Sequence, residues 1–164
     1  EKFFVVVIIK FSQETGARVQ PIVQVSASKY GEDDVAVAKK IVSKLKAKNI
    51  NVLKVRKLTS VKDGLAAYSN IDILLGMRMH SNILAAVQGT PFVAISYEYK
   101  TEGIARNLGM EKYCIKCEEI DGTNLYKLLV DVYRKRASLK NRLSSAIRLN
   151  QHTENKKWNN YLTQ

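Results

Sequence analysis

The sequence predicts an α/β fold: a doubly wound, mostly parallel sheet of about five strands, helices on both faces, and a long C-terminal helix. Short apolar runs at residues 19–25, 52–55, 71–75, 92–96 and 113–116 alternate with segments of helical periodicity. That is the order in which a parallel sheet and its crossover helices are laid down. From Asn124 the helical pattern runs almost to the end. The 164 residues suffice for one sizeable core. Residues 1–123 are expected to form the α/β domain, with 124–164 as a helical segment packing on it or crossing to another. The 46% hydrophobic and 26% charged content suits a globular chain, and no run approaches the ~18 apolar residues of a membrane span.

Residues 1–15 are β-branched enough for a strand, but Glu14-Thr15-Gly16 reads as a helix stop before the strand 19–25. A helix there also keeps the βα order, and it is the expectation. A chain that opens on a helix without its preceding strand is expected to be a piece of something longer. Ser26–Glu32 reads as a polar loop, and Asp33 or Asp34 starts a helix through Lys48, with Val35, Ala38, Ile41, Val42 and Leu45 on one face. Val52–Val55 is a strand; Thr59 or Ser60 caps a helix to about Tyr68. In the final helix Leu125, Leu128, Leu129, Val132 and Tyr133 pack. Leu139, Leu143, Ile147 and Leu149 continue a narrower stripe, and Trp158 and Tyr161 anchor the end.

The stretch from Ile71 to Gly109 carries the chemistry. Ile71–Leu75 is a buried strand broken by Gly76; Ser81 caps a helix Asn82–Gln88, with Ile83, Leu84 and Val87 on one face. Gly89 ends that helix, Pro91 stiffens the turn, and Phe92–Ser96 is the next strand; Thr101 opens a helix that stops at Gly109. Arg78 and His80 stand before one helix start and Lys100 before the other. A cation at a positive helix end is unfavourable by roughly 0.3–1 kcal/mol, unless a bound anion is shared by the free N–H groups and the side chains. Such turns lie at the carboxyl ends of parallel strands, where open sheets bind ligands. The plainer alternative is a solvated Arg and Lys beside a structural His.

The formal charge of +12 points to anionic partners. Between Arg134 and Lys157, eight Lys or Arg face one acid, Glu154. This tail could meet nucleic acid, an anionic membrane surface or another part of a larger protein, or be a solvated helix face. There is no nucleic-acid motif, and nucleic acid is not expected as a partner. Cys114 and Cys117 form a lone C-x-x-C without a second pair for zinc, in a strand rather than at a helix start. Two reduced, structural cysteines of a cytoplasmic protein are expected.

The residues Gly76, Arg78, His80, Ser81, Gly89, Pro91, Tyr97 and Lys100 resemble the signature of the polysaccharide pyruvyl transferase family: G-x-R-x-H-S, a small-residue helix, G-x-P, an apolar strand, then Y-x-x-K. The resemblance covers nearly the whole chain, most specifically residues 71–109. Glu98 and Tyr99 depart from the Asp-Pro often found before the Lys. The resemblance implies two facing α/β domains of GT-B type with the active site between them. This chain corresponds to the Rossmann-like C-terminal half, and its last helix crosses to a missing N-terminal domain. It implies transfer of a pyruvate ketal from phosphoenolpyruvate to a sugar of a bacterial cell-surface glycan, as in exopolysaccharide or cell-wall biosynthesis, with a glycan or lipid-linked saccharide as acceptor. No metal or organic cofactor is implied. The location would be cytoplasmic, with peripheral contact at the inner membrane face through the basic tail.

Phosphoenolpyruvate carries a carboxylate and a phosphate, which suits two cationic helix starts facing one cleft. Arg78 and Lys100 are the expected anion clamps, with Lys100 on the phosphate. His80 is the catalytic candidate, because imidazole is the side chain that ordinarily titrates near neutrality. Ser81 offers a hydroxyl and nearby N–H groups. Tyr97 is either a substrate contact or the wet end of a buried strand, and Arg106 ranks below the others. Two rivals stand beside this reading. A GT-B nucleotide-sugar enzyme (glycosyltransferase or 2-epimerase) needs a ribose-holding carboxylate, for which Glu98 and Glu102 are candidates, and a glycine-rich loop would support it. A non-catalytic anion- or partner-binding module would work through the basic tail.

Overall fold

A computed structural model of the chain describes residues 2–24, 26–27 and 32–162. Its elements follow the expected alternation: α1 (Lys2–Thr15), β1 (Ile22–Val23), β2 (Ser26–Ala27), β3 (Glu32–Asp33), α2 (Asp34–Lys46), β4 (Arg56–Lys57) and α3 (Val61–Tyr68). Then come β5 (Leu74–Gly76), α4 (Met79–Val87), β6 (Phe92–Ser96), α5 (Tyr99–Asn107), β7 (Cys114–Lys116) and α6 (Gly122–Leu162). The chain divides into two compact units, residues 1–67 with 120–130 and residues 68–119 with 131–164.

In the first unit the opening segment is helical. Its β-branched side chains pack rather than pair: Val5 joins Leu45 and Ile50 in a buried cluster, with Ile8, Ile9, Ile41, Val19 and Val52 against it. Gly16 ends α1 with φ of 70°, a left-handed turn that glycine adopts without strain. β1 and β4 pair in parallel, Ile22 with Arg56 and Val23 with Lys57, and a bridge joins Val19 to Val52. The expected polar loop at Ser26–Glu32 is instead framed by a short antiparallel pair, Ser26 with Asp33 and Ala27 with Glu32; residues 28–31 lie outside the described residues. Ser60 caps α3, its Oγ accepting the Asp63 N–H at 3.1 Å. Asp63 in turn binds Arg56 at 2.6 Å, which holds its carboxyl below the usual range. Asp121 caps α6, accepting the Asn124 N–H at 2.8 Å. Near that start Tyr126 donates to Glu14, and Lys10 lies over the Tyr126 ring.

The second unit holds a three-stranded parallel sheet in the order β5-β6-β7, with Gly76 opposite Ala94 and Ala94 opposite Cys114. The central strand is buried along its whole length. The expected five-stranded sheet is therefore met as separate ladders: β1–β4 is a pair, and among the described residues no ladder joins it to β5–β7. The apolar run 52–55 contributes a single bridge, while the ladder moves to the charged pair Arg56–Lys57.

Beyond Asp131, α6 buries Val132, Leu139 and Leu143, while Leu149 is exposed and leaves the expected stripe. Trp158 and Tyr161 lie among residues whose side chains are not described. The Gly89 turn passes under Lys140: a Cβ there would lie 3.2 Å from Lys140 Cγ. The Gly109 turn passes under Arg142, with Nε only 2.7 Å from such a Cβ. Both glycines have positive φ, so any side chain would meet backbone strain as well as contact. These turns end α4 and α5 and precede β6 and β7. The α6 cations thus serve the negative ends of the two helices.

Asp131 ties α6 to the segment before β7. Its Oδ2 accepts from Lys112 at 2.8 Å and from Tyr113 at 3.0 Å, and its Oδ1 pairs with Lys135 at 2.8 Å. Donation by Lys112, then Lys135, holds the Asp131 carboxyl far below the ordinary carboxylate range. A depressed folded-state pKa contributes stability above the unfolded value of about 3.9, and that stability is lost as pH falls toward the folded value. Urea unfolding between pH 7 and pH 2 should show this acid loss. Asp131→Asn should flatten that limb and cost about 1 kcal/mol at neutral pH, because the partners are solvated.

Candidate active site

The turn after β5 and the turn after β6 leave the same, carboxyl edge of the sheet, on strands spaced ~4.8 Å apart. Each leads into a helix that starts earlier than the side chains predict. Arg78, in extended backbone (φ −83°, ψ 129°), is the N-cap of α4 and makes no side-chain cap. Its carbonyl accepts from Ser81 N–H at 3.0 Å and Asn82 N–H at 3.3 Å. Ser81 is therefore not the cap. It is the third residue of the helix and buried. Glu98 (φ −149°, ψ 146°) likewise starts α5 without a side-chain cap, its carbonyl accepting from Thr101 N–H at 3.2 Å and from the Ser96 hydroxyl at 2.7 Å. His80 and Lys100 thus sit inside the first turns rather than ahead of them.

This geometry leaves the N–H groups of Met79 and His80, and of Tyr99 and Lys100, without acceptors inside their helices. His80 and Lys100 are exposed and make no ion pair among the described residues; Arg78 is half-buried. α4 and α5 pack on each other. Two uncapped positive ends, each carrying a cation, therefore lie side by side. Tyr97 is exposed just beyond β6, and Met77 and Tyr99 are exposed in the same turns.

The face of α4 that meets the sheet differs from the expected one. Ser81, Asn82, Ala85 and Ala86 are buried, whereas Ile83 and Leu84 are half-buried and Val87 is exposed. Small residues let the helix lie close to the sheet, which a hydropathy pattern does not reveal. Asn82 and Thr101 are each 1% exposed, and their side-chain polar atoms have no partner among the described residues. A Cβ at Gly76 would lie 2.2 Å from Asn82 Oδ1, so any side chain at position 76 would have to displace the Asn82 amide. Sequence reasoning passed over Asn82, Thr101 and Ser96; the signal was a polar residue on the inner face of a helix or at a strand end.

Arg106 does not join this group. It lines a cavity of about 150 Å³ with Glu102, Glu111, Cys114, Lys116 and Glu119, where three carboxylates outnumber two cations. An anionic donor has no reason to settle there. Cys114 and Cys117 are free thiols, and burial, followed by the charge of Glu102, raises the Cys114 pKa. Among the described residues no helix is long and apolar enough to cross a membrane.

The model of the polysaccharide pyruvyl transferase family matches residues 1–99. The chain belongs to that family. The signature residues Gly76, Arg78, His80, Ser81, Gly89, Pro91 and Tyr97 lie within the match, and Lys100 falls one position beyond it. The match is thus shorter than the near-complete coverage expected. No solved structure matches this chain.

The close approach of Gly76 and Asn82 makes a direct prediction. Gly76→Ala should destabilise the chain by about 1–3 kcal/mol, the usual cost of overpacking a rigid site. Adding Asn82→Ala should recover part of the loss, as measured by a double-mutant cycle in urea.

Proposed function

We propose that this chain carries the donor-binding half of an enzyme that transfers pyruvate, as a ketal, from phosphoenolpyruvate to a sugar of a bacterial cell-surface glycan. The observation that carries the proposal is the pair of uncapped, cation-bearing helix starts at one edge of the sheet, within a member of the pyruvyl transferase family. Phosphoenolpyruvate is a small molecule with two anionic ends, and a charge-assisted hydrogen bond to each end fixes both its position and its orientation. Lys100 and the N–H groups starting α5 hold the phosphate, and Arg78 holds the carboxylate through its bidentate fork. Ser81 N–H is already committed to Arg78, so the hydroxyl is what Ser81 offers. Tyr97 contacts substrate from the exposed end of β6.

The reaction adds one sugar hydroxyl across the enol double bond, then displaces phosphate with a second. A proton goes to the methylene carbon and the hydroxyl oxygen bonds to the adjacent carbon. The second hydroxyl then bonds to that carbon as the phosphate–carbon bond breaks, its proton leaving with phosphate. His80, exposed in the first turn of α4, moves the proton in these steps or donates to the departing phosphate.

A second α/β domain of GT-B type would supply the facing wall and the acceptor contacts, with α6 as the segment that crosses to it. The acceptor is a glycan or lipid-linked saccharide, met in the cytoplasm at the inner membrane face, and no cofactor takes part. The nucleotide-sugar alternative gains no support from Glu102: this carboxylate lies 3.3 Å from the Ser96 hydroxyl and lines the Arg106 cavity.

Steady-state phosphate release by the protein that joins this chain to its facing domain tests the assignment. His80→Ala should lower kcat about 10²–10⁴-fold with little change in donor affinity. Lys100→Ala should raise the donor KM as well, and Arg78→Lys should not restore Arg78 function. Normal turnover by His80→Ala would remove His80 from the chemistry.

A further inference from the structure

We propose that the cavity between α5 and β7 is a sugar subsite, in which Glu102 and Arg106 hold the hydroxyls of one pyranose ring of the acceptor glycan. Its lining is Glu102, Arg106, Glu111, Cys114, Lys116 and Glu119, around a volume of about 150 Å³. A space of that order admits a single six-membered ring.

The ionic groups of the lining stand apart from one another. Among the described residues Glu102 accepts from the Ser96 hydroxyl at 3.3 Å, and that hydroxyl is already committed to the Glu98 carbonyl at 2.7 Å. Lys116 and Glu119 are 3.9 Å apart, and Glu111 reaches Arg142 of α6 at 4.0 Å. Arg106 makes no hydrogen bond or ion pair among the described residues. Structural pairs in this protein are closer: Arg56 meets Asp63 at 2.6 Å, and Lys112 and Lys135 each meet Asp131 at 2.8 Å. Those are the distances of charge-assisted hydrogen bonds. The cavity groups keep their donors and acceptors available around a shared space.

The chemistry of the lining selects the class of ligand. Three carboxylates and two cations carry no strong positive charge for an anion, and no cluster among the described residues suits a metal ion. Carboxylates accept hydrogen bonds, and guanidinium and ammonium groups donate them. Neighbouring hydroxyls do both without charge, and a pyranose presents several on one rigid ring. Glu102 and Arg106 are four residues apart on α5, so they project side by side. At Gly103, beside them, a Cβ would meet only open space. One turn earlier on the same face, Tyr99 is 79% exposed, more than any other large hydrophobic side chain among the described residues. Its ring suits the C–H face of a sugar. Tyr99 precedes Lys100 directly, so the subsite adjoins the donor turn.

That the ligand is a glycan rests on the pyruvyl-transfer reading. The facing domain contacts the reacting sugar, and the cavity takes a neighbouring ring of the same acceptor. The probes are methyl β-D-glucopyranoside, methyl β-D-galactopyranoside and methyl α-D-mannopyranoside. Each is titrated into the isotope-labelled 164-residue chain while backbone amides are followed, and phosphoenolpyruvate is titrated separately. At least one glycoside should bind, with shifts centred on residues 99–106 and 111–119. Glu102→Ala and Arg106→Ala should each raise its dissociation constant about tenfold, the effect of losing a hydrogen bond to a charged group. Tyr99→Ala should raise it about threefold. Tyr99 and Arg106 are exposed and Glu102 is half-buried, so all three variants should melt with the wild type.

Failure of all three glycosides to bind would overturn the proposal. So would binding that Glu102→Ala and Arg106→Ala leave unchanged, or shifts centred away from the cavity. Glycoside binding at the cavity without phosphoenolpyruvate binding at the turns would support the subsite and contradict the donor reading. Phosphoenolpyruvate binding without glycoside binding would do the reverse.

Discussion

The polarity of α4 and α5 sets the electrostatics of the second unit. Their negative ends turn at Gly89 and Gly109, beneath Lys140 and Arg142 of α6, an arrangement that dipole and side-chain charge both favour. Their positive ends start without side-chain caps at Arg78 and Glu98, and the first turns carry His80 and Lys100. There the dipole opposes the charges of Arg78 and Lys100. One set of cations is accounted for by the fold. The other set stands against the dipole, and the anion proposed for the site would offset that cost. The same asymmetry separates the two basic regions in space: the α6 cations serve the amino edge of the sheet, and the candidate site occupies the carboxyl edge.

Packing holds those helix starts at the strand ends. Ala85 and Ala86 are fully buried, and the inner face of α4 has little bulk between helix and sheet. A Cβ at Gly76 would collide with the Asn82 amide. The short β5 therefore delivers its turn directly onto the first turn of α4, with small freedom for Arg78 to move away. On the second strand, the Ser96 hydroxyl holds the Glu98 carbonyl at 2.7 Å and fixes the start of α5. Close backbone approach sets the geometry of the candidate site, and charged side chains are arranged on top of it.

Local signals were legible in the sequence where a single residue dictates the backbone. Gly16, Gly89 and Gly109 end their helices with positive φ, and the run Phe92–Ser96 is a buried strand over its expected length. The apolar face of α2, ending in the buried Leu45, follows its 3.6-residue period. Side-chain capping rules placed the start of α4 three residues late and that of α5 two residues late, because Arg78 and Glu98 begin those helices through extended backbone alone. The buried face of α4 was missed for a related reason: Ser81, Asn82 and Ala85 carry little hydropathy, and their burial follows from how near the sheet lies. The division of the strands into separate ladders depends on long-range hydrogen bonding, which no window of sequence contains. The anion proposed for the site comes from the family signature alone, of which Arg78, His80 and Ser81 form the centre.

The central claim is that the first turns of α4 and α5 together receive one anionic donor. Backbone amide shifts of the isotope-labelled chain during titration with phosphoenolpyruvate test it most directly. The account predicts shifts centred on residues 76–82 and 97–103, saturating together with one dissociation constant and weakening as salt is raised. Shifts concentrated on the basic residues 134–148 of α6, with both first turns unchanged, would contradict it.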